Sequence, residues 1–154
     1  MAAIDVLKQV DAFQSLNDDE LSEIDQWITE KRCAYGDRLF KDGDVATCLW
    51  IVEEGTIDLR FDLPGRETSE ESTLSSISAN NVIGWSSLVP PYKYKLSAYC
   101  ASSQCKVLVM ERKPFREYLA KHPKIGYRVM SVMLQVVGRR FQKLQGSSDE
   151  PPGV

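Results

Sequence analysis

Gly84, Ser86 and Ser87, followed by Lys93 and Lys95, are the residues of this chain whose types and spacing could do chemistry, and that chemistry is anion binding. A glycine placed just after the apolar pair Val82-Ile83 lets the backbone turn tightly and approach a ligand. Backbone N–H groups at the start of a short helix would then face an anion, with two hydroxyls and two ammonium groups nearby. The segment from Asn81 to Ala98 contains no carboxylate and no arginine, so the cradle has few strong grips.

Other constellations are poorer. A single histidine, His122, excludes sites that need several imidazoles, including metal-dependent chemistry on a β-barrel. No nucleophile–base pairing is visible, and no enzymatic activity is expected. Cys33, Cys48, Cys100 and Cys105 contain no Cys-x-x-Cys pair and are expected as reduced thiols. Cys100 and Cys105 lie near one hairpin, where a redox role is the alternative. Arg139, Arg140 and Lys143 are expected to complement a helix dipole and to be solvated.

The elements that must position the cradle follow from pattern. Ile4, Leu7 and Val10 recur at helical spacing. Asn17 is an N-cap with Glu20 in the capping-box position. Leu21, Ile24 and Ile28 then form a stripe that predicts a helix fading near Lys31-Arg32. From Cys33 the pattern shortens. Gly36-Asp37 and Gly43-Asp44 mark turns, and Leu49 to Val52 is a short apolar run ended by Gly55. Thr56 to Leu63 alternates, with Ile57, Leu59, Phe61 and Leu63 expected inside and Asp58 and Arg60 outside. Leu74 to Ile77, Ser97 to Ala101 and Lys106 to Met110 are further strands. Closely spaced short strands argue for a small β-roll or barrel. Helical periodicity returns at Pro114, breaks at His122-Pro123, and continues through Ile125, Val129, Val132 and Val136. Met130, Met133, Val137, Phe141 and Leu144 make a second stripe. An apolar arc this wide needs two partners, its own barrel and another subunit.

Bulk properties set the class. The 154 residues suit one domain with a sizeable core. A net charge of −3 argues against nonspecific nucleic-acid binding. No run approaches a membrane span, and Met1 to Asp5 shows no signal-peptide pattern, so a cytoplasmic protein is expected.

The order helix, β-roll, helix, long helix resembles the cyclic-nucleotide-binding domains, of the catabolite-activator and Fnr sensor type. The resemblance rests on four phrases: Tyr35-Gly36-Asp37 with Leu39-Phe40 and Gly43-Asp44; Leu49 to Val52 with Gly55-Thr56-Ile57; Ile83-Gly84 to Leu88 with Ser97-Ala98; and Phe115 to Gly126. It covers roughly Phe13 to Leu144. It implies a double-stranded β-helix, a jelly-roll-like β-roll mainly β with flanking helices. The roll is expected over about 33–111 and C-terminal helices over 113–145, giving one domain at 1–145 and a disordered tail at 146–154.

The resemblance also implies a mechanism. In the family, backbone N–H groups and an arginine hold a cyclic phosphate, a glutamate holds the ribose, and the C-terminal helices carry the signal. On this sequence the ligand site falls on Ile83, Gly84, Trp85, Ser86, Ser87, Leu88, Lys95, Leu96, Ser97 and Ala98. Trp85 stands where the glutamate is expected and Leu96 where the arginine is expected. Each charge-assisted bond is worth about 1.5–3 kcal/mol, so losing both costs about three powers of ten in affinity. Lys95 replaces the arginine if the segment slips by one residue; otherwise Lys93 and Lys95 are solvated. Trp85 either fills the pocket or stacks on a flat ligand.

The expected function is therefore a non-enzymatic, ligand-sensing regulatory module with a divergent phosphate cassette. The alternative is a dimerisation module without a small ligand. No cofactor is expected, a cyclic nucleotide being the small molecule the resemblance implies. A homodimer through Ile125, Val129, Val132, Met133 and Val136 is expected, with an output protein as partner. The chain stops too soon after Leu144 for a helix-turn-helix, so direct nucleic-acid binding is not expected; with no apolar run of span length, neither is a membrane partner.

Overall fold

The computed structural model describes residues 2–61 and 69–146. Helices α1 (Ala2–Gln9) and α2 (Asp18–Asp25) precede strands β1 (Ile28–Ala34), β2 (Arg38–Phe40), β3 (Cys48–Glu54), β4 (Ile57–Arg60), β5 (Thr73–Ile77), β6 (Val82–Ile83), β7 (Ser97–Cys100) and β8 (Gln104–Glu111). Helices α3 (Arg112–Lys121) and α4 (Pro123–Gly146) follow. The strands pair antiparallel in two four-stranded sheets, ordered β1-β8-β3-β6 and β2-β7-β4-β5. This is the β-roll with flanking helices and a long C-terminal helix that the pattern predicts.

Two apolar clusters hold it together. Inside the roll, Phe40, Trp50, Val52, Ile57, Leu59, Ile83, Tyr94, Ala98 and Val107 pack from both sheets. On the outer side of β3 and β8, Leu49, Ile51, Leu108 and Met110 meet α1, α2, α3 and the first half of α4. Phe13 meets Phe115 edge-on at 6.0 Å there. Alternation along β3 and β8 thus feeds one cluster with one face and the second cluster with the other.

The Asn17 cap forms as expected. Glu20 N donates to Asn17 Oδ1 at 2.9 Å, and Asn17 N donates to Glu20 Oε1 at 2.8 Å. Helix α2 nevertheless ends at Asp25, and the predicted continuation to Lys31 is a strand. Trp27 N closes a tight turn on Ile24 O at 3.0 Å, and β1 then pairs with β8 from Ile28↔Met110 to Ala34↔Gln104. The roll therefore begins at Ile28, not near residue 33.

Strand β4 also departs from its alternation. All four of its residues are buried, including Asp58 and Arg60, while Phe61 is 43% exposed. Ser76 Oγ donates to Asp58 Oδ1 at 2.6 Å, Arg60 Nη2 donates to Oδ2 at 3.4 Å, and the guanidinium lies 4.6 Å over the Tyr99 ring. These partners, all on β4 and its two neighbours, turn the expected polar face into a buried, paired layer in which Asp58 is bonded and Arg60 Nε is left without a partner among the described residues. Leu63 and the Pro64-Gly65 stop lie outside the described residues. So does the expected tail beyond Gly146, a residue that belongs to α4.

Cys100 and Cys105 are joined as a disulfide, correcting the expectation of four reduced thiols. The β7–β8 turn brings their Cα atoms to 6.1 Å, inside the range a disulfide spans. Cys33 and Cys48 are free.

Candidate functional site

Gly84 begins the site. Its φ of 84° is left-handed, and it caps the 3-10 turn Trp85–Leu88, in which Ser87 N donates to Gly84 O at 3.0 Å. A Cβ at this position would lie 3.0 Å from Trp50 Cδ1 and 3.1 Å from Cys48 O, so conformation and space both require glycine. Pro90-Pro91-Tyr92, beyond the turn, is pinned from outside. Arg112 and Arg116 of α3 lie 4.6 and 5.2 Å over the Tyr92 ring, and Arg112 Nη1 donates to Ala46 O at 3.1 Å. The chain then returns beside the second turn region, where Gly43 N donates to Tyr94 O at 2.8 Å and Tyr94 N to Asp44 O at 2.9 Å.

These contacts set an aromatic floor. Tyr94 stacks on Phe40 with ring centroids 3.9 Å apart. Its hydroxyl donates to Cys48 O at 2.7 Å and accepts from Trp50 Nε1 at 3.1 Å. Burial raises the Tyr94 phenol above its usual pKa, the bond accepted from Trp50 opposing it.

Above this floor is a cavity of about 440 Å³. Phe40, Leu59, Leu74, Ser75 and Tyr94 line it from the roll; Gly84, Trp85, Ser86, Lys95 and Leu96 line it from the loop. Val137, Arg140 and Phe141 form its remaining wall, contributed by α4. Volume and lining are those of a small-molecule site: mostly carbon surface with a few polar groups.

Five of the ten sequence-predicted ligand residues therefore face the cavity: Gly84, Trp85, Ser86, Lys95 and Leu96. Ile83 and Ala98 are buried inside the roll. Leu88 packs in the helical cluster, and Ser87 is fully buried with no partner for Oγ among the described residues. Ser97 Oγ accepts from Asp42 N at 2.9 Å, bracing the second turn. Lys93 is exposed and its backbone bridges Val45. Trp85 is half-buried and leaves the cavity open beside it; its Nε1 is buried without a partner among the described residues.

Arg140 is the residue that sequence reasoning misplaced. It is partly buried rather than solvated, and Nη2 donates to Val82 O at 2.8 Å. Burial, and next the charge of Arg139, lower its pKa. The signal was available in the spacing: Val137, Arg140 and Phe141 share one helical face.

The predicted dimer residues need the same correction. Val129 and Met133 are buried in this chain's own core, and Ile125 and Val132 pack against it. Val136 is half-buried. Among the described residues, the large apolar side chains that α4 exposes are Tyr127, Met130, Leu134, Val137 and Phe141. Their spacing alternates three and four residues, the period of a coiled-coil seam.

The family model for the cyclic nucleotide-binding domain matches residues 30–122. The chain belongs to the cyclic nucleotide-binding domain family. Within this family, the cAMP-dependent protein kinase type II regulatory subunit of Drosophila melanogaster is 24% identical over 115 residues, which cover 75% of this chain and 29% of that protein. The chain thus matches less than a third of that relative's length. A structure from Geobacter metallireducens GS-15, named as a cyclic nucleotide-binding protein, superposes with a TM-score of 0.77 at 26% identity, covering 92% of this chain and 99% of that one. A cyclic nucleotide-binding domain from Methylobacillus flagellatus KT has a TM-score of 0.76 at 19% identity, covering 95% and 80%. That last likeness concerns the fold alone.

Among the described residues of this family member, no carboxylate lines the cavity, and its two cations are Lys95 and Arg140. No helix among them is long and apolar enough to cross a membrane.

Proposed function

We propose that this domain is a non-enzymatic regulatory module that takes a small molecule into the cavity between the roll and α4. The observation that carries the reading is the shared wall. Val137, Arg140 and Phe141 of α4 line the same cavity as Gly84, Trp85 and Ser86. A ligand that fills this space contacts the helix directly, and differential contact is what shifts a conformational equilibrium. Trp85 and Leu96 line the cavity at the positions where the resemblance calls for glutamate and arginine, which supports a ligand held without the usual phosphate and ribose grips.

Output runs through α4. Val137 and Phe141 belong both to the cavity wall and to the exposed stripe with Tyr127, Met130 and Leu134. A second copy of the chain packing on this stripe would therefore feel a change in the cavity. An output protein reading α4 would feel it equally. The stripe also favours a second reading, a dimerisation module with an unfilled cavity.

The test is Ser75→Trp, which places an indole in the cavity from β5. Native mass spectrometry of the wild-type chain, incubated with the small-molecule fraction of a cell extract, should show a bound molecule that Ser75→Trp excludes. A matching thermal melt establishes that the variant folds. A wild-type chain that retains nothing sinks the ligand reading and leaves the dimerisation reading.

A further inference from the structure

The cavity's chemistry is lopsided in a way that names a class of ligand, provided that the cavity is the ligand site proposed above. Most of its lining is carbon surface, with Phe40, Tyr94, Leu74 and Leu96 among the contributors. A hydroxyl-rich ligand would lose water against such walls without replacing those hydrogen bonds. Ser75 and Ser86 add two hydroxyls, and the charged lining residues are both cations: Lys95, which is exposed, and Arg140, which is partly buried.

Arg140 is under-partnered. A guanidinium offers five N–H donors. Its hydrogen bond among the described residues goes to a backbone carbonyl, Val82 O, at 2.8 Å, and no carboxylate of theirs lies within salt-bridge distance. A carbonyl oxygen is a neutral acceptor, and bonds to an ionised acceptor are roughly twice as strong. An anion entering the cavity therefore competes well for this group. The planar fork also suits the paired oxygens of a carboxylate or phosphate.

We propose that the cavity binds an anionic head, carboxylate or phosphate, carried on an apolar body, and that Arg140 is its grip. Arg140 sits on α4 while its present acceptor sits on β6. Exchange of the Val82 carbonyl for a ligand oxygen thus alters the tie between helix and roll, so the residue that recognises the anion also reports it.

The experiment is isothermal titration of the full chain. Octanoate and octyl phosphate are the probes. Octanol tests the body without the charge, inorganic phosphate the charge without the body, and cyclic AMP the usual ligand of the fold. At least one octyl anion should bind more tightly than octanol and inorganic phosphate. Arg140→Gln should weaken it about tenfold to a hundredfold, in line with a charged hydrogen bond. Arg140→Lys should weaken it less, and Arg139→Gln, the same charge change outside the cavity, should leave affinity unchanged. Thermal melts control for folding. Octanol binding as tightly as the anions overturns the inference, as does an Arg139→Gln effect equal to that of Arg140→Gln. Binding of cyclic AMP with silence from both octyl anions overturns it while sparing the proposed function. Octyl-anion binding that survives Ser75→Trp locates that ligand elsewhere and overturns the inference while leaving the proposed function to its own test.

Discussion

Gly84→Ala against Gly138→Ala puts the geometry of the site to a quantitative test. At Gly84 the backbone is left-handed, with φ of 84°. An L-residue there costs about 1–2 kcal/mol in local sterics alone. The new Cβ also meets Trp50 Cδ1 at 3.0 Å and Cys48 O at 3.1 Å. Neither neighbour yields easily, because the Tyr94 hydroxyl ties Trp50 Nε1 at 3.1 Å to Cys48 O at 2.7 Å. Overpacking of this kind adds about 1–3 kcal/mol. The sum is about 2–5 kcal/mol, or a fall in Tm of about 4–20 °C for a chain of this size. Gly138 lies inside α4 with nothing within 4 Å of an added Cβ. Alanine there should stabilise by about 0.4–1 kcal/mol through helix propensity and unfolded-state entropy. Urea denaturation of the three proteins, with m-values compared, measures both effects. A Gly84→Ala variant within about 0.5 kcal/mol of wild type, the range of an ordinary surface change, would refute the loop geometry on which the cavity depends.

Two other consequences are open to solution measurement. Leu134 is 74% exposed in the middle of the α4 stripe, so Leu134→Glu should change stability by no more than about 0.5 kcal/mol. In analytical ultracentrifugation it should convert a wild-type dimer to monomers; a monomeric wild type would remove the α4 dimer from the account. Tyr94→Phe should cost about 1–3 kcal/mol near neutrality, by leaving Trp50 Nε1 and Cys48 O unpaired. Its pH dependence carries a sign as well. Burial raises the Tyr94 phenol above its usual 10.0, so above that pH the unfolded chain releases a proton that the native state keeps. The unfolded state then binds fewer protons and wild-type stability falls as pH rises, the Tyr94 contribution being fully present only below the unfolded pKa. Tyr94→Phe should flatten that fall without abolishing it, because burial raises Tyr118 in the same direction. Equal slopes in the two proteins would contradict the buried phenol.

Much of this architecture was legible because each cue was local. The Asn17-Glu20 pair writes a capping box into four residues, and the Gly-Asp turns bracket β2. The misreadings share a different origin. Ile28 continues the helical spacing of Leu21 and Ile24, yet it opens β1, because what decides its state is pairing with Met110, eighty-odd residues away. Asp58 and Arg60 alternate like surface residues but pair with each other inside, with Ser76 and Tyr99 supplied by adjacent strands. On α4 the sequence shows two apolar stripes without saying which one the roll takes. The core takes Val129 from one and Met133 from the other, leaving Tyr127, Met130, Leu134, Val137 and Phe141 exposed. Arg140 illustrates the same limit at the site itself. Helix periodicity places it beside Val137 and Phe141, but only the crossing of α4 over β6 turns a helix-end cation into a wall of the cavity.

The central claim is that a ligand in the cavity acts on α4. Hydrogen exchange read by mass spectrometry tests it most directly, with the chain free and with cyclic AMP, cyclic GMP, octanoate or octyl phosphate in turn. The account predicts that a binding probe changes exchange in residues 84–96 and 123–146 together, because Gly84, Lys95, Val137, Arg140 and Phe141 line one space. A probe that binds and alters the loop while leaving 123–146 unchanged would contradict it.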